Sequence, residues 1–220
     1  MGRGGCQLGE TGGVRWIGAQ LADVRRRIRE DGLIAVVGAP VPGLDVLAVG
    51  DGLLASPILV MEISLGLPDA VAIIGQLRQR FGQHMLIGTG DVMTAADVGT
   101  AVAAGAQFVT LSGPDAALVV RAQATGVLAI PAVRTSDDIG ALTVAGGRML
   151  HLAGTAHDLA RLPEAWPDIE FVVAADSVAG YGPAWRAAGV CAVRVSEGLF
   201  GGASLTQAQL ITRARRLRGV

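Results

Sequence analysis

Short apolar segments alternate with amphipathic segments along most of the chain. Eight mainly apolar segments of four to seven residues recur at intervals of about 20–27 residues. Such runs are typical of parallel strands that are buried on both faces. The predicted strands cover residues 33–37, 58–64, 84–88, 108–111, 127–130, 148–152, 171–175 and 190–195.

The segments between these strands carry apolar residues at spacings of three and four, which predicts helices. A leading helix over 17–31 would place Ile17, Leu21, Val24 and Ile28 on one face. Several helices end in a glycine just before the next strand, as in AAGA at 103–106, and a glycine there terminates a helix. The further predicted helices cover 43–55, 67–81, 94–104, 114–124, 136–145, 156–165, 178–188 and 204–218.

Eight consecutive strand–helix units predict a single (β/α)8 barrel with an additional N-terminal helix. An open, doubly wound sheet is the alternative. It is disfavoured because Gly38-Ala39-Pro40 follows the first strand, where the glycine fingerprint G-x-G-x-x-G would stand. We expect residues 1–14, which contain six glycines, to form a flexible tail, and residues 15–220 to form the barrel domain.

The basic residues restrict the chemistry. All eighteen of them are arginines, so the chain contains no lysine. A Schiff base with a carbonyl substrate requires a primary amine, which lysine usually supplies. We therefore predict that no side chain of this protein forms one.

Composition also limits the partners. A net charge of -1 and an aromatic content of 4% argue against a nucleic-acid partner. No apolar run approaches the roughly 20 residues of a membrane helix. Two cysteines are too few for a disulfide framework, and the N-terminus lacks the layout of a signal peptide. We expect a cytoplasmic protein without a membrane partner.

Four segments are similar to the 2-keto-3-deoxy-6-phosphogluconate and 2-keto-4-hydroxyglutarate aldolase family. They are MEISL at 61–65, IGTGDVMTAADVGTAVAAGAQFV at 87–109, AIPAVRTSDDI at 129–139 and the stretch from 171 to 200. The resemblance extends in the same order over about 18–218. It implies a (β/α)8 barrel with an extra N-terminal helix, a small-molecule substrate and a homo-oligomer, often a trimer.

The departures from this family concern its functional residues. The family's lysine, which forms a Schiff base with a 2-oxo acid, is matched by His151, and its proton-shuttling glutamate is matched by Glu62. Gly66 stands where the family has a carboxylate-binding arginine. The glycine-rich phosphate loops become Asp176-Ser177 and Ser196-Glu197. Two carboxylates at a phosphate site would repel the ligand, so a phosphorylated substrate is disfavoured.

Glu62 and His151 are the candidate catalytic residues. The alternation of side chains along a strand and the resemblance place both at the C-terminal mouth of the barrel. There we expect them within direct or one-water hydrogen-bond reach of each other, as an acid–base pair. The alternative is that His151 is a buried structural histidine. The candidate substrate-binding residues are Arg194, Asp91, Asp176, Arg134 and Ser196.

Four of these candidates have structural alternatives, and for Asp176 and Ser196 the alternative is a cap of the helix or loop that follows. Arg194 could form a structural ion pair with Glu62 or Glu197, and Asp91 could contribute to the N-terminal cap of the helix that follows it. A divalent metal held by Glu62, Asp91, His151 and Asp176 is a further alternative, although no short ligand motif supports it. We predict no resident metal or other cofactor.

Three functions remain open at this point. The first is an enzyme that acts on a small, unphosphorylated oxo compound by acid–base chemistry, as a lyase, isomerase or cyclase. The second is a non-catalytic aldolase relic that serves as an assembly or partner-binding scaffold. The third is a metal-assisted lyase.

Overall fold

The computed structural model describes residues 10–152, 165–175, 189–202 and 204–218. Within them, eight parallel strands follow one another in chain order around a closed barrel, in which β1 pairs with β8. This topology confirms the predicted (β/α)8 barrel and excludes the open sheet. The strands are β1 Leu33–Val37, β2 Val60–Ser64, β3 Leu86–Val92, β4 Phe108–Leu111, β5 Leu128–Val133, β6 Met149–Leu152, β7 Glu170–Ala174 and β8 Val190–Val195.

Helices follow the strands as predicted wherever both are described, and the short helix Glu197–Phe200 between β8 and the last helix was not predicted. They are α1 Glu10–Asp31, α2 Val46–Leu54, α3 Ala70–Phe81, α4 Ala95–Ala104, α5 Ala116–Ala124, α6 Ser136–Val144, α7 Glu197–Phe200 and α8 Gln207–Arg218. α1 begins seven residues before the predicted start, so that residues 10–14, which we expected in the tail, lie in its first turns. Residues 1–9 and the predicted helices at 156–165 (apart from Ala165) and 178–188 lie outside the described residues.

Two strands extend beyond their predicted ends. β3 was predicted to end at Gly88 and continues to Val92, because it pairs with β2 as far as Gly90 and with Leu111 of β4 at Val92. β5 was predicted to end before Pro131 and continues to Val133, with Pro131 opposite Leu111 of β4. Polar residues and a proline thus lie within strands where the pattern of apolar residues predicted loops.

One apolar cluster fills the barrel towards the amino-terminal ends of the strands. Most of its members come from the first residues of the strands, and Val24 and Ile28 of α1 complete it from below. The N-terminal helix therefore closes the lower end of the barrel, and the opposite, carboxyl-terminal end is left for a site. The strand residues of the cluster are Ile34, Val60, Leu86, Phe108, Leu128, Ile130, Met149, Val172 and Ala192.

The last helix is fastened to the first at the amino-terminal side of the barrel. Arg218 of α8 donates to the carboxylate and the carbonyl oxygen of Asp31, and also to the carbonyl oxygen of Pro57 at 2.7 Å. We call these contacts the Asp31–Arg218 latch. Burial raises the pKa of the Asp31 carboxyl, while the charge of Arg218 opposes that shift. Among the described helices, none is both long and apolar enough to cross a lipid bilayer.

Candidate active site

Glu62 lies in the interior of the barrel, in the middle of β2, and is fully buried. The hydroxyl of Thr110 on β4 donates to Glu62 Oε2 at 2.8 Å. Arg194 on β8 donates from Nε to the same oxygen at 3.1 Å and from Nη2 to Oε1. The carboxylate is therefore held by a two-pronged arginine contact and one hydroxyl, as a buried charge requires.

Two glycines on β3 leave space for neighbouring side chains, Gly90 for the Glu62 carboxylate and Gly88 for the ring of Phe108. A Cβ atom on Gly90 would lie 2.2 Å from Glu62 Oε1, and one on Gly88 would lie 2.4 Å from the ring of Phe108. Because the two glycines are separated by two positions, a side chain at either position would point to the same face of the strand. Any larger residue at position 90 would have to displace the Glu62 side chain.

Arg194 is the central residue of the site. Its side chain is 15% exposed, and it forms a salt bridge with Glu62. Burial acts to lower the pKa of its guanidinium, but the charge and hydrogen bonds of Glu62, with the charge of Asp91 added, raise the pKa above its ordinary value. Of the two ion pairs considered from the sequence, Arg194 thus forms the one with Glu62.

His151 lies on β6 and is partly buried, with Nε2 3.5 Å from Nη1 of Arg194. Burial, together with repulsion by the Arg194 charge, lowers the pKa of His151 from 6.5 to about 4. The imidazole is consequently neutral near pH 7. It presents a nitrogen to a fixed guanidinium.

The geometry of Glu62 and His151 differs from a direct pair. No hydrogen bond joins these two side chains, both of which are described, and each contacts Arg194 instead. The sequence did not predict that Arg194 lies between them. Alternation along a strand predicts on which face of the sheet a side chain lies, but not which other side chains it contacts. Their catalytic roles stay predictions.

Asp91 does not cap the following helix. The N-cap of α4 is Thr94, which accepts from the backbone of Asp97 while Asp97 accepts from the backbone of Thr94, a reciprocal capping box. Asp91 instead lies near the end of β3 with a φ of 60°, in the left-handed region that non-glycine residues seldom adopt. It is exposed, and its carboxylate accepts a hydrogen bond from the buried hydroxyl of Ser64.

The other candidate binding residues lie towards the rim. Arg134 follows β5 and is exposed, and its backbone N–H donates to Asp138 at 2.9 Å. Ser196 follows β8 and occupies the N-cap of the four-residue helix α7, without a hydrogen bond from that helix to its side chain. Asp176 lies outside the described residues.

Thr110 and Gly90 were missed from the sequence although each had a signal. Thr110 is the polar residue of an otherwise apolar strand, FVTL, and Gly90 lies in the Gly88–Gly90 pair on one face of β3. A polar residue on an inward strand position indicates a buried polar partner. Within the described ranges, no group of three or more His, Cys, Asp or Glu residues is arranged to hold a metal ion.

The comparisons with known proteins agree with this architecture. A family model for KDPG and KHG aldolases matches residues 24–156, more than half of the chain. The chain belongs to the KDPG and KHG aldolase family. A comparison with curated proteins found no match.

Solved structures of KDPG aldolases share the fold of this family member. The 2-keto-3-deoxy-6-phosphogluconate aldolase of Zymomonas mobilis, solved with 3-phosphoglycerate, is 19% identical with a TM-score of 0.74, over 90% of this chain and 95% of that one. The KDPG aldolase of Legionella pneumophila, with pyruvate captured as a covalent carbinolamine, is 22% identical with a TM-score of 0.71, over 91% of this chain and 97% of that one.

A designed, cube-shaped protein cage made by fusing symmetric oligomeric domains is also similar. It is 19% identical with a TM-score of 0.74, over 85% of this chain and 70% of that one. At these identities the solved structures establish the fold of this KDPG and KHG aldolase family member, and its chemistry has to be argued from its own residues.

Proposed function

We propose that this protein is an enzyme that moves a proton on a small, unphosphorylated oxo compound without forming a Schiff base. The reaction class is a lyase, isomerase or cyclase reaction that passes through an enolate. The observation that supports this proposal best is a neutral imidazole held against a buried, fixed guanidinium in the barrel, His151 beside Arg194.

The absence of lysine separates this protein from its Legionella neighbour. A carbinolamine forms when an amine adds to the carbonyl carbon of pyruvate, and the present chain has no lysine side chain to supply that amine. Proton transfer, in contrast, needs only a base near the carbon next to the carbonyl and a positive group near its oxygen. In this proposal His151 is the base and Arg194 is the positive group.

In the proposed reaction His151 removes a proton from the carbon next to the carbonyl group. The electron pair of the C–H bond becomes the carbon–carbon double bond of the enolate, and the carbonyl electrons move onto oxygen. Arg194 stabilises that negative oxygen. The proton returns from His151 to the product or to the leaving group, which restores the neutral imidazole.

Glu62 then acts as a positioning residue rather than as the base. Its carboxylate already accepts two hydrogen bonds from Arg194 and one from Thr110. These contacts fix the guanidinium beside the imidazole of His151. The proposal accordingly assigns the base to His151 and the orientation of Arg194 to Glu62.

Hydrogen–deuterium exchange tests this proposal without knowledge of the natural substrate. The purified protein is incubated in D2O with pyruvate or 2-oxobutyrate, and loss of the C3 proton signal is followed by NMR. We expect catalysed exchange, and a decrease of about 10²–10⁴-fold in His151→Gln. The matched control is His84→Gln, since His84 is exposed in the turn before β3.

Two results would count against the enzyme. Equal exchange in the wild type and in His151→Gln would show that this histidine is not the base. No exchange with any small 2-oxo acid would favour the non-catalytic relic.

We also propose a homotrimer in the cytoplasm. The family resemblance supports the trimer, and the similarity to a cage built from symmetric oligomeric domains is consistent with an oligomer. Light scattering that gives the mass of a single chain would contradict it.

A further inference from the structure

A small cavity at the carboxyl-terminal end of the barrel is lined in part by Ser196, one of the candidate binding residues. It has a volume of about 180 Å³ and lies between the loop 38–42, which follows β1, and the segment from Ser196 to Gly202, which follows β8. Arg194 lies two residues before this segment on the same strand. We call this cavity the β1/β8 pocket.

The charged side chain in the described lining of the β1/β8 pocket is a carboxylate. Glu197 is the one charged residue among the described residues that line it. The guanidinium of Arg213 does not line the pocket and is engaged by the carbonyl oxygens of Leu199 and Gly201, at 3.0 and 2.6 Å. A group that enters the pocket therefore meets a carboxylate without a facing cation in the described lining.

The position of Glu197 reverses a common arrangement in barrels of this kind. The loops after the last two strands and a short helix there frequently bind phosphate through backbone N–H groups. Here that short helix is α7, and its first residue is Glu197. A phosphate would encounter the carboxylate, whereas a positively charged group would be attracted by it.

The Glu197 carboxylate lies against the pocket wall that Gly201 forms. A Cβ atom on Gly201 would lie 2.7 Å from Glu197 Oε2, so glycine at this position leaves room for the carboxylate. On the opposite wall, Pro40 and Pro42 restrict the backbone of the β1 loop. The pocket thus combines a carboxylate with a stiff opposite wall.

The described residues deeper in the site add no free positive charge to that of Arg213, whose Nη2 would lie 3.7 Å from a Cβ atom on Gly202 in the pocket wall. Glu62 and Arg194 neutralise one another in a buried salt bridge. Asp91 is an exposed carboxylate near Arg194, and its charge raises the pKa of that guanidinium. Of the described candidate residues, only the exposed Arg134 offers a further positive charge.

We propose that the β1/β8 pocket binds a cationic amino group at the far end of the oxo substrate. The substrate class is a 2-oxo acid or related oxo compound that carries an ammonium or quaternary amine several bonds from the carbonyl. This inference rests on the proposed function, because it names the substrate class of the same site.

A series of matched ligands tests the proposal by binding alone. The cationic probe is 5-(trimethylammonio)-2-oxopentanoate, which cannot cyclise because its nitrogen is quaternary. The neutral probe of the same shape is 6,6-dimethyl-2-oxoheptanoate, and the anionic probe is 2-oxoadipate. Isothermal titration calorimetry at low salt measures the three dissociation constants.

We expect the cationic probe to bind at least about fivefold more tightly than the neutral one, the effect of one ion pair at about 4 Å in water. 2-Oxoadipate should bind most weakly. In Glu197→Gln the preference for the cation should disappear. The matched control Glu30→Gln, at the opposite end of the barrel, should keep it, because Glu30 pairs with Arg26 on the surface of α1.

The inference is overturned if the neutral probe binds as tightly as the cationic one, if no probe binds, or if Glu197→Gln keeps the preference. Its failure is distinguishable from failure of the proposed function. Exchange of the C3 protons of pyruvate reports on His151 and does not involve the pocket. Exchange without a cation preference would refute the pocket alone, and a Glu197-dependent preference without exchange would refute the chemistry alone.

Discussion

Replacing Glu62 by glutamine should leave a buried guanidinium without its counter-charge. The Nε of Arg194 lies 3.1 Å from Glu62 Oε2. Two unit charges at that separation interact with about 5 kcal/mol at an effective dielectric constant near 20. Glutamine keeps the shape and part of the hydrogen bonding, so we expect Glu62→Gln to lower the free energy of unfolding by about 3–5 kcal/mol.

A double-mutant cycle separates this charge effect from loss of packing. Arg194→Met removes the guanidinium and leaves Glu62 buried with Thr110 as its one side-chain donor among the described residues, which should cost a similar amount. The double variant contains neither charge. It should therefore be more stable than the sum of the two single effects predicts, with a coupling energy of at least about 2 kcal/mol.

Urea denaturation followed by circular dichroism measures all four free energies of unfolding. The surface pair Arg26–Glu30, with side chains about half exposed, is the control, and Glu30→Gln should change stability by less than about 1 kcal/mol. Additive effects of the two core substitutions would refute the description of Glu62 and Arg194 as a buried, mutually dependent pair.

Three further predictions follow from the same residues. The pKa of His151 is about 4 in the folded protein, below its ordinary value of 6.5, so the unfolded chain binds more protons between these two pH values. The free energy of unfolding should therefore fall by up to about 3 kcal/mol as the pH decreases from about 6.5 to about 4. Denaturant titrations of His151→Gln should lack that part of the pH dependence. Gly90→Ala should destabilise by more than about 1 kcal/mol because its Cβ would meet Glu62, whereas Gly99→Ala, which meets nothing within 4 Å, should be neutral or stabilising in thermal melts. Borohydride reduction with pyruvate should leave every internal peptide unmodified in mass spectrometry, and a modified internal side chain would contradict the proposed lysine-free route.

The positions of the strands were predictable because a strand buried on both faces must be apolar at nearly every residue. The ends of β3 and β5 were not, since ladder hydrogen bonds extend past the apolar run through Thr89, Gly90 and Pro131. In the same way, the start of α1 was hidden by the glycines at 12 and 13, which are poor helix formers.

For the candidate site, the sequence predicted which side chains point into the barrel, but not which of them contact one another. Glu62, His151 and Arg194 could be placed by alternation along their strands, and the structure brings all three into contact through Arg194. Which of them touch depends on side-chain length and on the space that Gly90 leaves, and neither can be obtained from periodicity. The left-handed backbone of Asp91 carries no sequence signal of the kind that a glycine would give.

The Asp31–Arg218 latch joins residues that are 187 positions apart, and β1 gains its second neighbour only when β8 is present. During synthesis, the ribosome releases Asp31 and β1 long before either partner exists. One edge of β1 must therefore stay unpaired while more than 150 residues are added, and unpaired strand edges promote association between chains. Long-range closure of this kind also slows folding. The interval before the last helix docks is accordingly the period in which this chain is most exposed to aggregation, and a truncation that removes Arg218 would extend it.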